Sequence, residues 1–183
     1  MIFESVMAGF GGQGILSAGM MLAHIASHKG LNVTWFPSYG AEQRGGTANC
    51  TVVISDLEIG SPIVTAPAYG LIMNMPSFNK FQPRFRKGAK AVLDTSLVDP
   101  SAVTRTDVEF YGLNAGDIAR DLGNVRVANM VMIGGLLAVS GLFTLEEAVA
   151  ELPNALSKKH HDLIPLNEQA LSKGFSEIKK INK

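Results

Sequence analysis

The stretch Met1-Ile2-Phe3-Glu4-Ser5-Val6-Met7-Ala8-Gly9-Phe10-Gly11-Gly12-Gln13-Gly14 decides the fold of this chain. Its first eight residues read as a strand, and Gly9 to Gly14 carry the pattern G-x-G-x-x-G between that strand and a following helix. In such a setting the first glycine, Gly9, permits a tight turn and Gly11 lets backbone approach a pyrophosphate. Gly14 lets the helix pack closely on the strand. The helix amino terminus adds free N–H groups and a partial positive charge. Gly12 and Gln13 complete the loop, and the Gln13 amide is expected to be free to bond a ligand or a neighbouring loop. The same glycines also serve a turn that binds nothing.

Outward from this loop, Ile15, Ala18, Leu22, Ala23, Ile25 and Ala26 recur at helical spacing as far as Lys29, with Gly30 placed to terminate the helix. Leu31 to Phe36 reads as a second strand, rich in β-branched and aromatic residues. Strand, loop, helix and strand predict a βαβ unit crossing over right-handed in a parallel sheet. Further strands are expected over 48–55, 71–73, 90–94 and 108–113. A short helix is expected over 77–81, and another from the cap Asn114 to Leu122, stopped by Gly123. Asn129 is expected to cap an apolar helix over 130–140 that Gly141 closes. Thr144 and Glu147 form a capping box for the next helix, which Pro153 is expected to end. The tail after Leu166 reads as helix. These elements predict an α/β fold, Rossmann-like, with a mostly parallel sheet and helices on both faces, as a single domain over 1–183.

Composition bounds the function. Sixteen Lys and Arg balance sixteen Asp and Glu, with no basic run longer than a pair, which argues against nucleic acid. The single cysteine, Cys50, excludes an internal disulfide framework and any iron–sulfur cluster or four-cysteine zinc site held by this chain alone. The amino terminus lacks a basic region followed by an apolar run and cleavage site. The most apolar stretch, Met130 to Ser140, falls short of the roughly 20 residues that a membrane span needs. No membrane span and a cytoplasmic location are therefore expected. A nicotinamide site calls for Asp or Glu at the end of the second strand, to bind the ribose hydroxyls. Here that strand ends Trp35-Phe36-Pro37-Ser38, with no carboxylate before Glu42, which argues against an ordinary NAD dehydrogenase.

The second informative stretch is Pro37-Ser38-Tyr39-Gly40-Ala41-Glu42-Gln43-Arg44-Gly45-Gly46-Thr47-Ala48-Asn49-Cys50. A loop at the carboxyl end of the second strand faces the same crevice as the first glycine loop. Arg44 offers a planar cationic fork suited to carboxylate or phosphate, Gly45 and Gly46 permit close backbone approach, and Tyr39 adds an aromatic face with a hydroxyl. Taken alone, Arg-Gly-Gly also reads as a structural turn with an Arg44–Glu42 surface pair.

Together, Gly9 to Ile15 and Ser38 to Cys50 resemble the corresponding motifs of the gamma subunit of 2-oxoacid:ferredoxin (acceptor) oxidoreductases. Ile59-Gly60-Ser61-Pro62, Asn74-Met75-Pro76-Ser77, Asn129-Met130, Pro165-Leu166-Asn167, Ala170 and Gly174 continue the resemblance in order, over nearly the whole chain. The resemblance implies a subunit, inactive alone, of an enzyme that oxidatively decarboxylates a 2-oxoacid to its acyl-CoA. It points to 2-oxoglutarate, or to a branched-chain 2-oxoacid, rather than to the indolepyruvate relatives. It further implies thiamine diphosphate with Mg and iron–sulfur clusters in alpha, beta and delta partner subunits, ferredoxin or a similar acceptor, and coenzyme A as cosubstrate near the gamma domain. The residues themselves agree on what is missing. Gly116-Asp117-Ile118 does not match a Gly-Asp-Gly thiamine motif, and one cysteine cannot hold a cluster. No catalytic residue and no metal ligand are assigned. The cofactor-facing candidates are Gly9, Gly11, Gly12, Gln13, Gly14, Tyr39, Arg44, Gly45 and Gly46. The alternatives are a free-standing dinucleotide-binding oxidoreductase and a purely structural assembly module.

Other residues read more plainly. His160-His161-Asp162 reads as a solvated turn, because three adjacent side chains converge poorly on one ion. Cys50 reads as a small buried hydrophobe, Met130 and Met132 as core, and Asp117 as a complement to a helix dipole. Asp94 is a possible crevice residue.

Overall fold

The computed structural model describes residues 1–38 and 47–181. Seven strands form one sheet in the order β2-β3-β1-β4-β5-β6-β7. They are β1 (Ile2–Phe10), β2 (Asn32–Ser38), β3 (Thr47–Ser55), β4 (Tyr69–Ile72), β5 (Lys90–Asp94), β6 (Glu109–Leu113) and β7 (Lys179–Lys180). β1, β4, β5 and β6 pair in parallel, whereas β3 is antiparallel to both β1 and β2, and β7 to β6. β2 therefore runs in the same direction as β1, and the sheet is mostly parallel as expected. The simple βαβ expectation needs one correction. β2 is not the neighbour of β1, because β3 turns back and lies between them, with Phe10 opposite Thr47 and Ser38 opposite Asn49.

The helices are α1 (Ile15–His28), α2 (Met75–Phe81), α3 (Ala115–Asp121), α4 (Ala128–Ser140), α5 (Leu145–Ala155) and α6 (Ile164–Glu177). Alternation along the strands separates two cores. Phe3, Met7, Cys50, Val52, Ile54, Leu71, Val92 and Leu113 face α1, α3, α4, α5 and α6. Val6, Ala8, Ile72, Ala91, Leu93 and Phe110 face Phe78 and Phe81 of α2, with Phe85 and the residues around Val98. Helices do lie on both faces, but five to one. α4 is buried on nearly every side, which its uniformly apolar sequence requires, and no helix among the described residues is long and apolar enough to cross a membrane.

Two glycines end helices as expected, with the two bonds of a Schellman motif. After α1 the N–H of Gly30 donates to Ser27 and that of Leu31 to Ala26. After α3 the N–H of Gly123 donates to Arg120 and that of Asn124 to Ala119. The Thr144–Glu147 capping box is present at α5. Three expectations fail. α5 runs through Pro153 to Ala155: the proline loses the bond to the carbonyl four residues back and its ring crowds that carbonyl, but only two helical residues lie beyond it to be displaced. Asn129 does not cap α4, because a 3-10 turn over Val125–Val127, capped by the Asn124 side chain, runs directly into the helix. The third fails only in part, because the expected helical tail is α6 as far as Glu177. Lys179 and Lys180 add the short β7 to the edge of β6, secured by Lys180 Nζ donating to Glu109 at 2.8 Å.

Candidate functional site

The glycine loop connects β1 to α1 at the carboxyl edge of the sheet, where ligands bind in open α/β folds. Its glycines take different roles from those the pattern suggests. Gly9 does not turn. It lies inside β1, buried, and a Cβ there would meet Gln13 Oε1 at 2.6 Å and Ile15 Cδ1 at 2.9 Å. The turn falls on exposed Gly11 and Gly12, and Gly12 has φ +96, a region that favours glycine. Gly14, at φ +74, is the amino-terminal cap residue of α1, and a Cβ there would sit 2.5 Å from Asn129 Nδ2. That amide donates to the Gly14 carbonyl at 3.2 Å, which is the use the fold finds for Asn129.

Gln13 is engaged at both ends, and of the two expected partners, a ligand or a neighbouring loop, its amide takes the loop. Oε1 accepts from the Phe10 N–H at 2.6 Å, and Nε2 donates to the Met73 carbonyl at 3.2 Å. The side chain closes the loop on itself and ties the end of β1 to the residue that follows β4. The chain leaves β1 towards β2 on one side and later returns to β4 on the other, so Gln13 spans the point where the strand order reverses.

A cleft of about 390 Å³ opens at this point. Gly12, Gln13 and Met73 form one wall, Asp94, Ser96 and Gly116 another, and Arg120, Val125, Arg126 and Ala128 the third. Asp94 ends β5 fully buried. Its Oδ1 accepts from Ser96 N–H at 3.1 Å, Ser96 Oγ at 2.6 Å and Ala115 N–H at 3.2 Å. Burial raises its pKa above 3.8, and the bonds from Ser96 and from the Ala115 and Gly116 backbone oppose that shift. Asp94 is thus a crevice residue whose observed work is to tie β5 to the start of α3. Arg120 pairs with Asp117 in the first turn of α3, and that pairing, followed by the bond from Asn114, lowers the Asp117 pKa. Arg126 is exposed and forms no ion pair with a described residue. Sequence reasoning missed both arginines, because neither belongs to a motif and only the fold brings them to the glycine loop.

Tyr39, Arg44, Gly45 and Gly46 lie outside the described residues. The residues that flank them, Ser38 and Thr47, lie at the same end of the sheet as Gly9 and Phe10. Cys50 is buried beneath α1 beside Gly19, and burial pushes its thiol up to about 12, the behaviour expected of a small hydrophobe. Met130 and Met132 are core. His160 and His161 lie in a 3-10 turn, with His161 Nε2 3.1 Å from the Leu156 carbonyl. Among the described residues, no three His, Cys, Asp or Glu side chains are grouped to hold a metal ion.

Residues 4–177 match the pyruvate ferredoxin/flavodoxin oxidoreductase family. The ketoisovalerate oxidoreductase subunit VorA of Methanothermobacter marburgensis is 36% identical over 174 residues, which are 95% of this chain but 36% of that protein. This chain thus spans about a third of the length of that relative. The 2-oxoglutarate synthase subunit KorC of Methanothermobacter thermautotrophicus is 34% identical over 157 residues, covering 81% of this chain and 83% of that one. Among solved structures, the gamma subunit of a keto/oxoacid ferredoxin oxidoreductase from Geobacter sulfurreducens superposes with a TM-score of 0.81 at 26% identity, covering 96% of this chain and 97% of that one.

Proposed function

The chain belongs to the pyruvate ferredoxin/flavodoxin oxidoreductase family, and from that premise we propose that it is the gamma-type subunit of a 2-oxoacid:ferredoxin (acceptor) oxidoreductase. In this reading it forms one domain, works in the cytoplasm and is inactive alone. Its partners are alpha, beta and delta subunits that hold thiamine diphosphate with Mg and the iron–sulfur clusters, and the electrons go to ferredoxin or a similar acceptor. The chain's own contribution is to shape the site of coenzyme A, the cosubstrate. The observation that carries this is the cleft at the strand ends, where the glycine loop and two arginines meet.

The residues there suit an anionic group. Among the described residues, chain neighbours apart, nothing lies within 4 Å of the space a Gly12 side chain would occupy, which leaves the loop backbone open to a ligand from that side. Arg126 supplies a charge that no described residue pairs, and α1 directs its amino terminus to the same edge. In this reading Arg126 and the Gly12 backbone take a phosphate of coenzyme A. Gln13 and Asn129 act indirectly, by fixing the loop. Gly9, Gly11, Gly14, Tyr39, Arg44, Gly45 and Gly46 complete the proposed environment.

The substrate proposed from the motifs is 2-oxoglutarate. A second reading, a branched-chain 2-oxoacid, is favoured by the higher identity to the ketoisovalerate subunit. The test is to isolate the complex through this chain and assay 2-oxoacids one at a time with coenzyme A and a viologen dye. Dye reduction dependent on one 2-oxoacid, with thiamine-dependent partners recovered, supports the reading and names the substrate. Recovery of the chain alone with bound nucleotide overturns it. In the intact complex Arg126→Ala is expected to raise the KM for coenzyme A about 10-fold, the value of one charge-assisted bond. An unchanged KM removes Arg126 from the site.

A further inference from the structure

The two faces of the sheet are covered unequally. On the second face α2 lies over β1 and the strands beyond it, and among the described residues no helix covers β2 and β3 on that face. By register the strands there present the rows Glu4–Val53–Thr34 and Val6–Thr51–Phe36, in which Val6 and Val53 are buried and Phe36 is exposed. Among the described residues, the segment 56–68 crosses these rows. Thr51 Oγ1 donates to the Pro62 carbonyl at 3.1 Å, and the Ala68 N–H donates to the Glu4 carbonyl at 3.0 Å. Pro62 belongs to Ile59-Gly60-Ser61-Pro62, a motif for which the proposed cleft has no use.

Large apolar side chains remain exposed along this face. Phe36 is 49% exposed at the edge strand, Ile63 is 66% exposed beside the Thr51–Pro62 contact, and Leu57 is 73% exposed where its N–H meets Ser55. Such a group on one face marks an interaction surface, whereas single exposed apolar residues do not. Of its charged members, Glu4 is paired with Arg86 at 3.1 Å and Asp56 with the amino terminus at 2.6 Å, while Glu58 lies exposed beside Leu57. The face therefore suits an apolar protein surface better than an anionic ligand.

Resting on the functional reading above, we propose that this face, centred on Phe36 and Ile63, is where the partner subunit docks. The occupant is the polypeptide that makes up the remaining length of relatives such as the ketoisovalerate subunit, of which this chain spans 36%. There the remainder is covalently joined to the matching region, which raises its effective concentration at any face able to bind it. The five-helix face presents the polar sides of α5 and α6 instead, so the exposed apolar area faces the other way.

The test uses the full chain and its complex. Phe36→Asp combined with Ile63→Asp is expected to weaken association with the partner at least about 10-fold, as loss of central apolar anchors does. Gln169→Glu on α6 should leave association unchanged. Circular dichroism and urea unfolding of the isolated chains check that the double variant folds. Should it not fold, hydrogen exchange of the unaltered complex decides. Protection of amides in 57–63 on assembly supports the proposal, and equal exchange with and without the partner overturns it. If the unaltered chain recovers no partner, the functional reading falls with the inference. If the folded double variant recovers it equally well, only the surface falls. If the unaltered chain alone sediments as a dimer and the variant as a monomer, the face belongs to a second copy and the proposal is wrong.

Discussion

Gly134 and Gly174 sit where two helix backbones touch, whereas Gly12 and Gly14 sit where one backbone turns. At the crossing of α4 and α6, a Cβ on Gly174 would lie 1.8 Å from the Val131 carbonyl oxygen, and one on Gly134 2.1 Å from that of Leu171. Neither glycine has a positive φ, so the requirement there is space alone. At the loop the order is reversed. Gly12 has room for a side chain but a backbone angle that disfavours one, and Gly14 combines the angle with a close neighbour. The residue type is the same, but a rigid partner backbone sets the cost in one place and a torsion in the other. A glycine spacing therefore does not reveal what the glycines do. Gly9 shows this within the motif, since it clears space for the Gln13 side chain and makes no turn.

The comparison can be broken by substitution. Gly174→Ala should be the most damaging, about 3 kcal/mol or more, because a helix backbone cannot yield as a side chain can. Urea unfolding measures it, and a loss under about 1 kcal/mol would mean that α4 and α6 slide apart easily. Gly14→Ala should cost about 2 kcal/mol, from left-handed strain plus displacement of Asn129. Adding Asn129→Ala to it should cost less than Asn129→Ala does alone, because the bond to the Gly14 carbonyl is already lost, and strict additivity would refute the coupling. Gly12→Ala should cost only about 1 kcal/mol by the same unfolding assay. It should nevertheless raise the KM for coenzyme A in the complex. An unaltered KM would make the loop as purely structural as the helix crossing.

The smallest effect is expected across the cleft, at Asp94. Burial holds its folded pKa above 3.8, so the folded chain keeps this proton to higher pH than the unfolded chain does. The contribution of Asp94 to stability therefore falls as pH rises from 3.8 through the folded value. The paired carboxylates Asp107, Asp117 and Glu147 have lowered pKa values and act in the opposite sense, losing stability as pH falls. Asp94→Asn keeps an oxygen for Ser96 and Ala115. Its stability relative to the parent should rise with pH across the acid range. A flat difference curve would mean that Asp94 is as hydrated in the fold as out of it.

Local signals read well wherever the cause was local. The strand over 90–94, the Schellman ends at Gly30 and Gly123, and the Thr144–Glu147 box each depend on residues within one turn of each other. The two-residue β7 has no periodicity to detect, and the insertion of β3 between β1 and β2 leaves no mark on either strand's pattern. Half of the candidate site was legible as a motif. Asp94 was legible singly, as a residue at a strand end, whereas Arg120 and Arg126 come from separate segments that share no spacing with the loop.

By itself, then, the sequence determined the α/β class, the glycine loop at the end of the first strand, the nearly all-buried α4 and the family resemblance. Alternation, helical spacing and turn residues act over a few positions, and a chain carries them before it folds. Only the tertiary structure decided the strand order, the engagement of Gln13 with Met73, the bond from Asn129 to Gly14 and the bare face over β2 and β3. Each is a contact between distant segments. Its geometry depends on which surfaces the whole chain can bury together, and no local pattern encodes that.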